Sequence, residues 1–260
     1  MQKPAELLNV GFPEFWKTIH GEYRPVFEET ERLMELANAL FRKPVSEPLH
    51  AVLRLIAQSA SNSFGAVIIL VLNGYGSDAM RLVRSMIEAE IVAHYLAKHP
   101  EEVKPYINHI TVAQQELIEA MRRYTPEALK RIGAEAIRRT ATAAASVQKR
   151  SGKRRKRWTA KTVKQMADEI QLGELYDTVY AWASSMHHVD IFGLAIQTDG
   201  TLAVEPAPSE KWTGHALLDA HASFLRILRC YSDAAGLGMD EALQTRERAF
   251  RKVWQAAKLV

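Results

Sequence analysis

Apolar residues recur at helical spacing along nearly the whole chain, and alternating strand patterns are scarce. Leu33, Leu36, Ala37 and Leu40, for example, fall on one face of a helix. A chain whose apolar residues form helical stripes can bury them only by packing helix against helix. The sequence therefore predicts an all-α fold, a multi-helix bundle with short turns and one long loop with room for a small hairpin.

Helix boundaries follow from prolines, glycines and capping residues. Ser77 or Asp78 is expected to cap the third helix. The long loop is Ile191–Trp212, with the hairpin placed around Asp199 and Gly200. The predicted helices are Pro25–Phe41, Leu49–Leu72, Ser77–Lys98, Pro105–Tyr124, Pro126–Val147, Thr159–Ile170, Glu174–His187, Gly214–Ala234 and Asp240–Lys258.

The same pattern divides the 260 residues into a main domain with two appendages. An N-terminal helical extension covers residues 1–48, and a helical core domain covers residues 49–234. The core domain contains a basic linker at residues 149–157. Residues 235–260 form a C-terminal helix.

Composition favours a cytoplasmic protein without a membrane partner. The longest apolar run, Ala66–Leu72, is far shorter than the roughly 18 residues that cross a bilayer, and no charged-then-apolar leader opens the chain. The single cysteine, Cys230, excludes an internal disulfide. Because it lies in an apolar helical pattern, we expect a packed thiol and not a nucleophile.

The net charge of +4 is concentrated between Arg122 and Arg157, where thirteen basic residues face only Glu127 and Glu135. Such a segment attracts polyanions, and the attraction weakens as salt rises. A solvated loop joining two helices is the alternative, since no aromatic residue precedes Trp158 to stack on bases. The candidate nucleic-acid-binding residues are Arg150, Lys153, Arg154, Arg155, Lys156 and Arg157.

Two polar clusters interrupt strongly apolar stretches. The first contains Arg81, Arg84 and Glu88, which share a helix face by their spacing. The second contains Tyr180, Ser184, His187 and His188. Because unpaired buried polar groups cost roughly 1–3 kcal/mol each, the clusters are expected to satisfy one another or a ligand.

We expect these residues to bind a small anionic ligand or a partner surface, because a guanidinium binds two oxygens at once. Arg84 and His187 are the candidates for any catalytic role. The alternative is an ordinary Arg84–Glu88 ion pair with the histidines at a helix C-terminus.

A metal site was weighed on the donors of His187, His188, Asp190 and Glu88. Adjacent histidines on a helix point about 100° apart and rarely bind one ion together. A serine nucleophile, Ser184 or Ser185 with His188, has neither a glycine-rich elbow nor identifiable oxyanion donors. The sequence therefore predicts no metal and no cofactor.

The run Arg81–Ala89, followed by Tyr180, Ser184 and His187, resembles the bacterial family catalogued as domain of unknown function 5677. The similarity covers roughly Leu53–Leu194. It implies an all-helical cytosolic bacterial protein without an assigned reaction. It also draws attention to Arg84, Glu88 and the three later residues.

A second, weaker resemblance is to the higher eukaryote and prokaryote nucleotide-binding superfamily, small helical nucleases of toxin and antiphage systems. It implies a metal-independent endoribonuclease that uses an arginine and a histidine. Arg84 and His94 are farther apart than in that motif, so Arg84 would have to meet His187 across helices. A structural oligomerisation module, forming a homo-oligomer, is the third class of function.

Overall fold

A computed structural model describes residues 11–151, 158–187 and 208–256. Within these ranges the fold is all-α and contains no strand, which confirms the predicted class. The nearest feature to a sheet is an isolated bridge between Tyr75 and Ser209. The proposed hairpin at Asp199–Gly200 and most of the basic linker lie outside the described residues.

The centre of the fold is formed by α3 (Pro48–Leu72), α4 (Gly76–Lys98) and α11 (Thr213–Ala234), each packed against the other two. Large apolar side chains such as Phe64, Ile87 and Phe224 are fully buried there. Their burial removes apolar surface from water, the main stabilising contribution to such a bundle.

By length and composition alone, α3 is also apolar enough to cross a membrane. Here it packs against α4 and α11 as a core helix, and core helices of soluble proteins pass the same test. The cytoplasmic location stays a prediction.

The chain ends contribute to the same core. Near the N-terminus lie α1 (Pro13–Glu22), which the sequence reading did not predict, and α2 (Arg24–Phe41); α12 (Asp240–Ala256) packs against α2 and α11. Ile19, Leu33 and Trp254 from these helices are buried in one cluster with the central residues.

A projecting pair of helices is formed by α5 (Val103–Tyr124) and α7 (Ala134–Ser151), joined by the short α6 (Pro126–Ile132). The prediction of one helix over Pro126–Val147 is wrong, because Gly133 has φ of +83° and ends α6. Glycine adopts this left-handed backbone readily.

The second half of the predicted site lies on short helices. The first, α8 (Val163–Glu169), begins with a capping box in which Thr162 and Gln165 satisfy each other's backbone N–H groups. It is followed by α9 (Gly173–Leu175), a π-helical turn (Tyr176–Tyr180) and α10 (Ala181–His187). Both α8 and α10 pack against α4.

The reversal between α3 and α4 falls at Asn73–Gly76, as predicted, but the capping residue was not. Gly76 is the first residue of α4, Tyr75 precedes it, and no side chain caps the helix. A Cβ at Gly76 would lie 2.1 Å from the carbonyl oxygen of Lys211, so glycine is required by this close approach of two backbones.

Replacing Gly76 with alanine should destabilise the protein by about 1–3 kcal/mol, because the Cβ would force the backbone at Lys211 away from α4. The matched control is Gly65→Ala in α3, where an added Cβ meets nothing within 4 Å. That change should stabilise by about 0.5–1 kcal/mol. Urea unfolding followed by circular dichroism measures both; equal changes would contradict the described contact.

Candidate functional site

Arg84 lies at the centre of the predicted site and reaches from α4 to α10. Its Nε donates to Ser184 Oγ at 2.9 Å, and its Nη2 donates to Tyr180 OH at 2.9 Å. The remaining Nη1 lies 3.5 Å from Glu88 Oε2, one turn along α4. With 18% of its side chain exposed, Arg84 is mostly buried, and each of its nitrogens faces a partner in the protein.

Glu88 balances this charge through one oxygen. Its Oε2 faces Arg84 and also accepts a long hydrogen bond, 3.4 Å, from Tyr180 OH. Its Oε1 has no hydrogen-bond partner among the described residues, and 41% of the side chain is exposed. Glu88 is therefore a held carboxylate with one oxygen available to another molecule.

Tyr180 owes its position to the π-helical turn that ends with it. Its ring stacks on Tyr176 at 4.6 Å between centroids, and the guanidinium carbon of Arg84 lies 4.9 Å from its ring centre. Burial, and then the negative charge of Glu88, raises the pKa of the Tyr180 hydroxyl. The hydroxyl therefore stays protonated and can donate to Glu88 while accepting from Arg84.

Arg81 fixes the end of α10. Its Nε donates to the carbonyl oxygen of Met186 at 3.0 Å, and its Nη1 donates to Asp78 at 2.7 Å. A cation at the carbonyl end of a helix is favourable for the helix dipole. His187 is exposed in the last turn of α10, next to this contact, and His188 lies outside the described residues.

The structure thus brings together Arg81, Arg84, Glu88, Tyr180 and Ser184 from helices distant in sequence. It shows them as partly, and not fully, buried, because Glu88 faces solvent. The contacts of Arg84 are to Tyr180, Ser184 and Glu88. Its predicted meeting with His187 stays a prediction.

A groove of about 730 Å³ adjoins Glu88 and was not predicted. It runs between α3, α4 and the first half of α5, and its walls are mainly apolar. Glu88 and Ser85 are the polar groups that α4 contributes to it. The apolar walls are formed by Val52, Leu55 and Ile56, by Ala89 and Val92, and by Ile107 and Ile110.

The sequence gives only a partial signal for this groove. The helical pattern shows that Leu55, Ile107 and Ile110 are apolar, but it does not show that they stay exposed. Their side chains are 63%, 40% and 53% exposed. The cleft exists because α5 diverges from α3, and that angle depends on packing elsewhere.

A second charged cluster joins α4 to α11 and was also missed. Arg226 donates to both oxygens of the fully buried Glu90, at 2.5 and 3.1 Å. Asp219 lies nearby, and its burial raises its pKa to about 6, an effect that Arg226 opposes. Burial also lowers the pKa of His94. A glutamate two residues after Glu88 in an apolar helix was the available sequence signal.

Other candidates are placed as follows. Within the described ranges, no group of three or more histidine, cysteine or acidic side chains is arranged to hold a metal ion. Arg150 lies in α7, while Lys153–Arg157 fall outside the described residues. Cys230 is buried and unoxidised, as predicted, and burial raises its pKa to about 12.

An all-α bundle with an arginine held between two helices is the class that fold and site define. Residues 50–200 match a family of unknown function, DUF5677. The match covers more than half of the chain and every described residue of the site, so the chain belongs to this family. No curated protein and no solved structure matches the chain. The resemblance to the nucleotide-binding superfamily finds no support.

Removing the Tyr180 hydroxyl tests the Arg84 contacts. Tyr180→Phe should lower the free energy of unfolding by about 1–2 kcal/mol, because a mostly buried Arg84 loses an acceptor. Tyr176→Phe is the matched control, since its hydroxyl has no hydrogen-bond partner among the described residues and its ring stays stacked. It should change stability by less than about 0.5 kcal/mol. Urea denaturation measures both; equal losses would contradict the described role.

Asp219 should make stability depend on pH. Between its ordinary pKa of 3.8 and its folded value of about 6, the folded state holds more protons than the unfolded state. The free energy of unfolding contributed by this group therefore falls as pH rises through that window. Asp219→Asn should then be more stable than the natural chain at pH 7, by on the order of 1–3 kcal/mol, and equal to it near pH 4.

Thermal unfolding of both proteins across pH 4–8 gives this difference directly, with other titrating groups cancelling between them. Glu241→Gln, at an exposed carboxylate on α12, is the control and should leave the profile unchanged. A constant difference between Asp219→Asn and the natural chain at all pH values would refute the assignment.

Proposed function

We propose that this chain is a binding protein whose groove between α3, α4 and α5 takes a small, mainly apolar molecule carrying an amine or another hydrogen-bond donor. The observation that carries the proposal is Glu88, which lines the groove with Oε2 held and Oε1 without a partner among the described residues. The groove volume, about 730 Å³, lies in the range of small-molecule sites.

The groove walls set the body of the ligand. Apolar side chains from three helices converge there, and burying a ligand's apolar surface against them contributes roughly 25 cal/mol per Å². Polar lining groups are few, so they fix orientation more than affinity. Glu88 is the charged one among them, which favours a donor or a cation at its end.

Arg84 acts in this proposal by positioning Glu88. The anionic ligand expected from the sequence is supported less well, because the guanidinium already faces Ser184, Tyr180 and Glu88. An anion would have to displace a carboxylate that neutralises the arginine. It remains the alternative that the experiment must distinguish.

The endoribonuclease alternative rests on the weaker resemblance, and no observation on the described residues favours it. A cytoplasmic location and a role in antiphage defence likewise stay expectations. Neither enters the argument for the groove.

Three probes of equal chain length separate these alternatives: octylamine, octanol and octanoate, titrated calorimetrically against the full chain below their micellar concentrations. Octylamine should bind most tightly. Glu88→Gln should weaken octylamine by about tenfold, corresponding to roughly 1.4 kcal/mol, and leave octanol nearly unchanged. Glu47→Gln, at an exposed glutamate just before α3, should change neither.

Filling the groove gives an independent check. Ala89→Phe places a ring among the lining residues and should weaken all three probes. Preferential binding of octanoate that Arg84→Lys abolishes would establish the anionic alternative instead. No binding of any probe by the natural chain would overturn the proposal.

A further inference from the structure

One face of α5 becomes steadily more exposed along the helix. Val103 is 4% exposed and belongs to the central core. Ile107, Ile110, Leu117 and Tyr124, farther along, are 40%, 53%, 60% and 78% exposed. The helix thus leaves the bundle with its apolar face uncovered, while Val112 and Ile118 are buried on a face that packs toward α7.

The uncovered face is regular. Its members alternate spacings of three and four residues, the repeat with which two helices pack along each other. They extend over about 26 Å at 1.5 Å per residue, long enough for several turns of contact. The positions are Ile107, Ile110, Gln114, Leu117, Met121 and Tyr124.

Charge along α5 is polarised. Glu101 and Glu102 stand just before its first residue, and Arg122 and Arg123 fill its last turn. Lys104 offsets only part of the acidic end. An antiparallel copy of the same helix would therefore bring each acidic end toward a basic end, and it would also oppose the two helix dipoles favourably.

We propose that the occupant of this face is a second copy of the chain, with α5 of one protomer packed antiparallel against α5 of its partner. A two-fold axis makes such a contact self-complementary, since each face meets the same face. The exposure, the spacing and the polarity of charge all belong to one helix, so they need no other partner.

The pairing goes beyond the proposed function and does not depend on it. Ile107 and Ile110 belong both to the paired face and to the groove wall, so the partner's helix lies along the open side of the groove. The dimer is measured without any probe molecule. Failure of one proposal therefore leaves the other standing.

Sedimentation equilibrium of the full chain tests the pairing. The natural chain should have twice its monomer mass of 29.3 kDa at micromolar concentration. Leu117→Glu should be monomeric, because it places charges in the middle of the contact. Ile69→Glu, at a side chain of similar exposure, 61%, on α3, should remain dimeric. Circular dichroism confirms that both variants stay folded.

Cysteine cross-linking tests the orientation. Gln114→Cys, near the middle of the face, should form a disulfide between protomers under mild oxidation. Tyr124→Cys should not, because an antiparallel arrangement separates the two ends. The natural Cys230 is buried and does not interfere.

A monomeric natural chain at 100 μM, a dimeric Leu117→Glu variant, or cross-linking of Tyr124→Cys would each overturn the proposal. A monomer that co-sediments with vesicles of phosphatidylcholine and phosphatidylglycerol would reassign the face to a lipid surface.

Discussion

Charged side chains on an otherwise apolar helix must find partners on the neighbouring helices, and α4 shows the consequence on two sides. Toward α10, Arg84 is held by Tyr180 and Ser184. Toward α11, the fully buried Glu90 is held by Arg226 through two hydrogen bonds. An uncompensated charge in either place would cost several kcal/mol. The neighbours of α4 are therefore fixed by chemistry as well as by shape.

This arrangement makes Glu88 the polar group that remains for other molecules. Arg84 and Tyr180 orient one oxygen of its carboxylate and leave the other facing the groove. The groove in turn exists because α5 departs from the bundle after Val103. A single geometric feature, the divergence of α5, thus gives both a ligand-sized cleft and an uncovered apolar helix face.

Helices with a clear apolar stripe were predicted almost to the residue; α3 was expected from Leu49 and begins at Pro48. Their ends were less predictable where packing intervenes. Gly133 breaks a stretch that reads as one helix, because only its positive φ shows the break. The π-helical turn before Ala181 has no sequence signature, yet it determines where Tyr180 points.

The sequence by itself determined the all-α class, the central apolar helices and the residues that require polar partners, because periodicity and the cost of unpaired charge are local properties. The tertiary structure alone decided which partners those are. Arg226 and Glu90 are 136 positions apart, and no local pattern joins them. It also decided that Leu55 and Ile110 stay exposed, since exposure depends on the angle at which helices cross and not on the residues themselves.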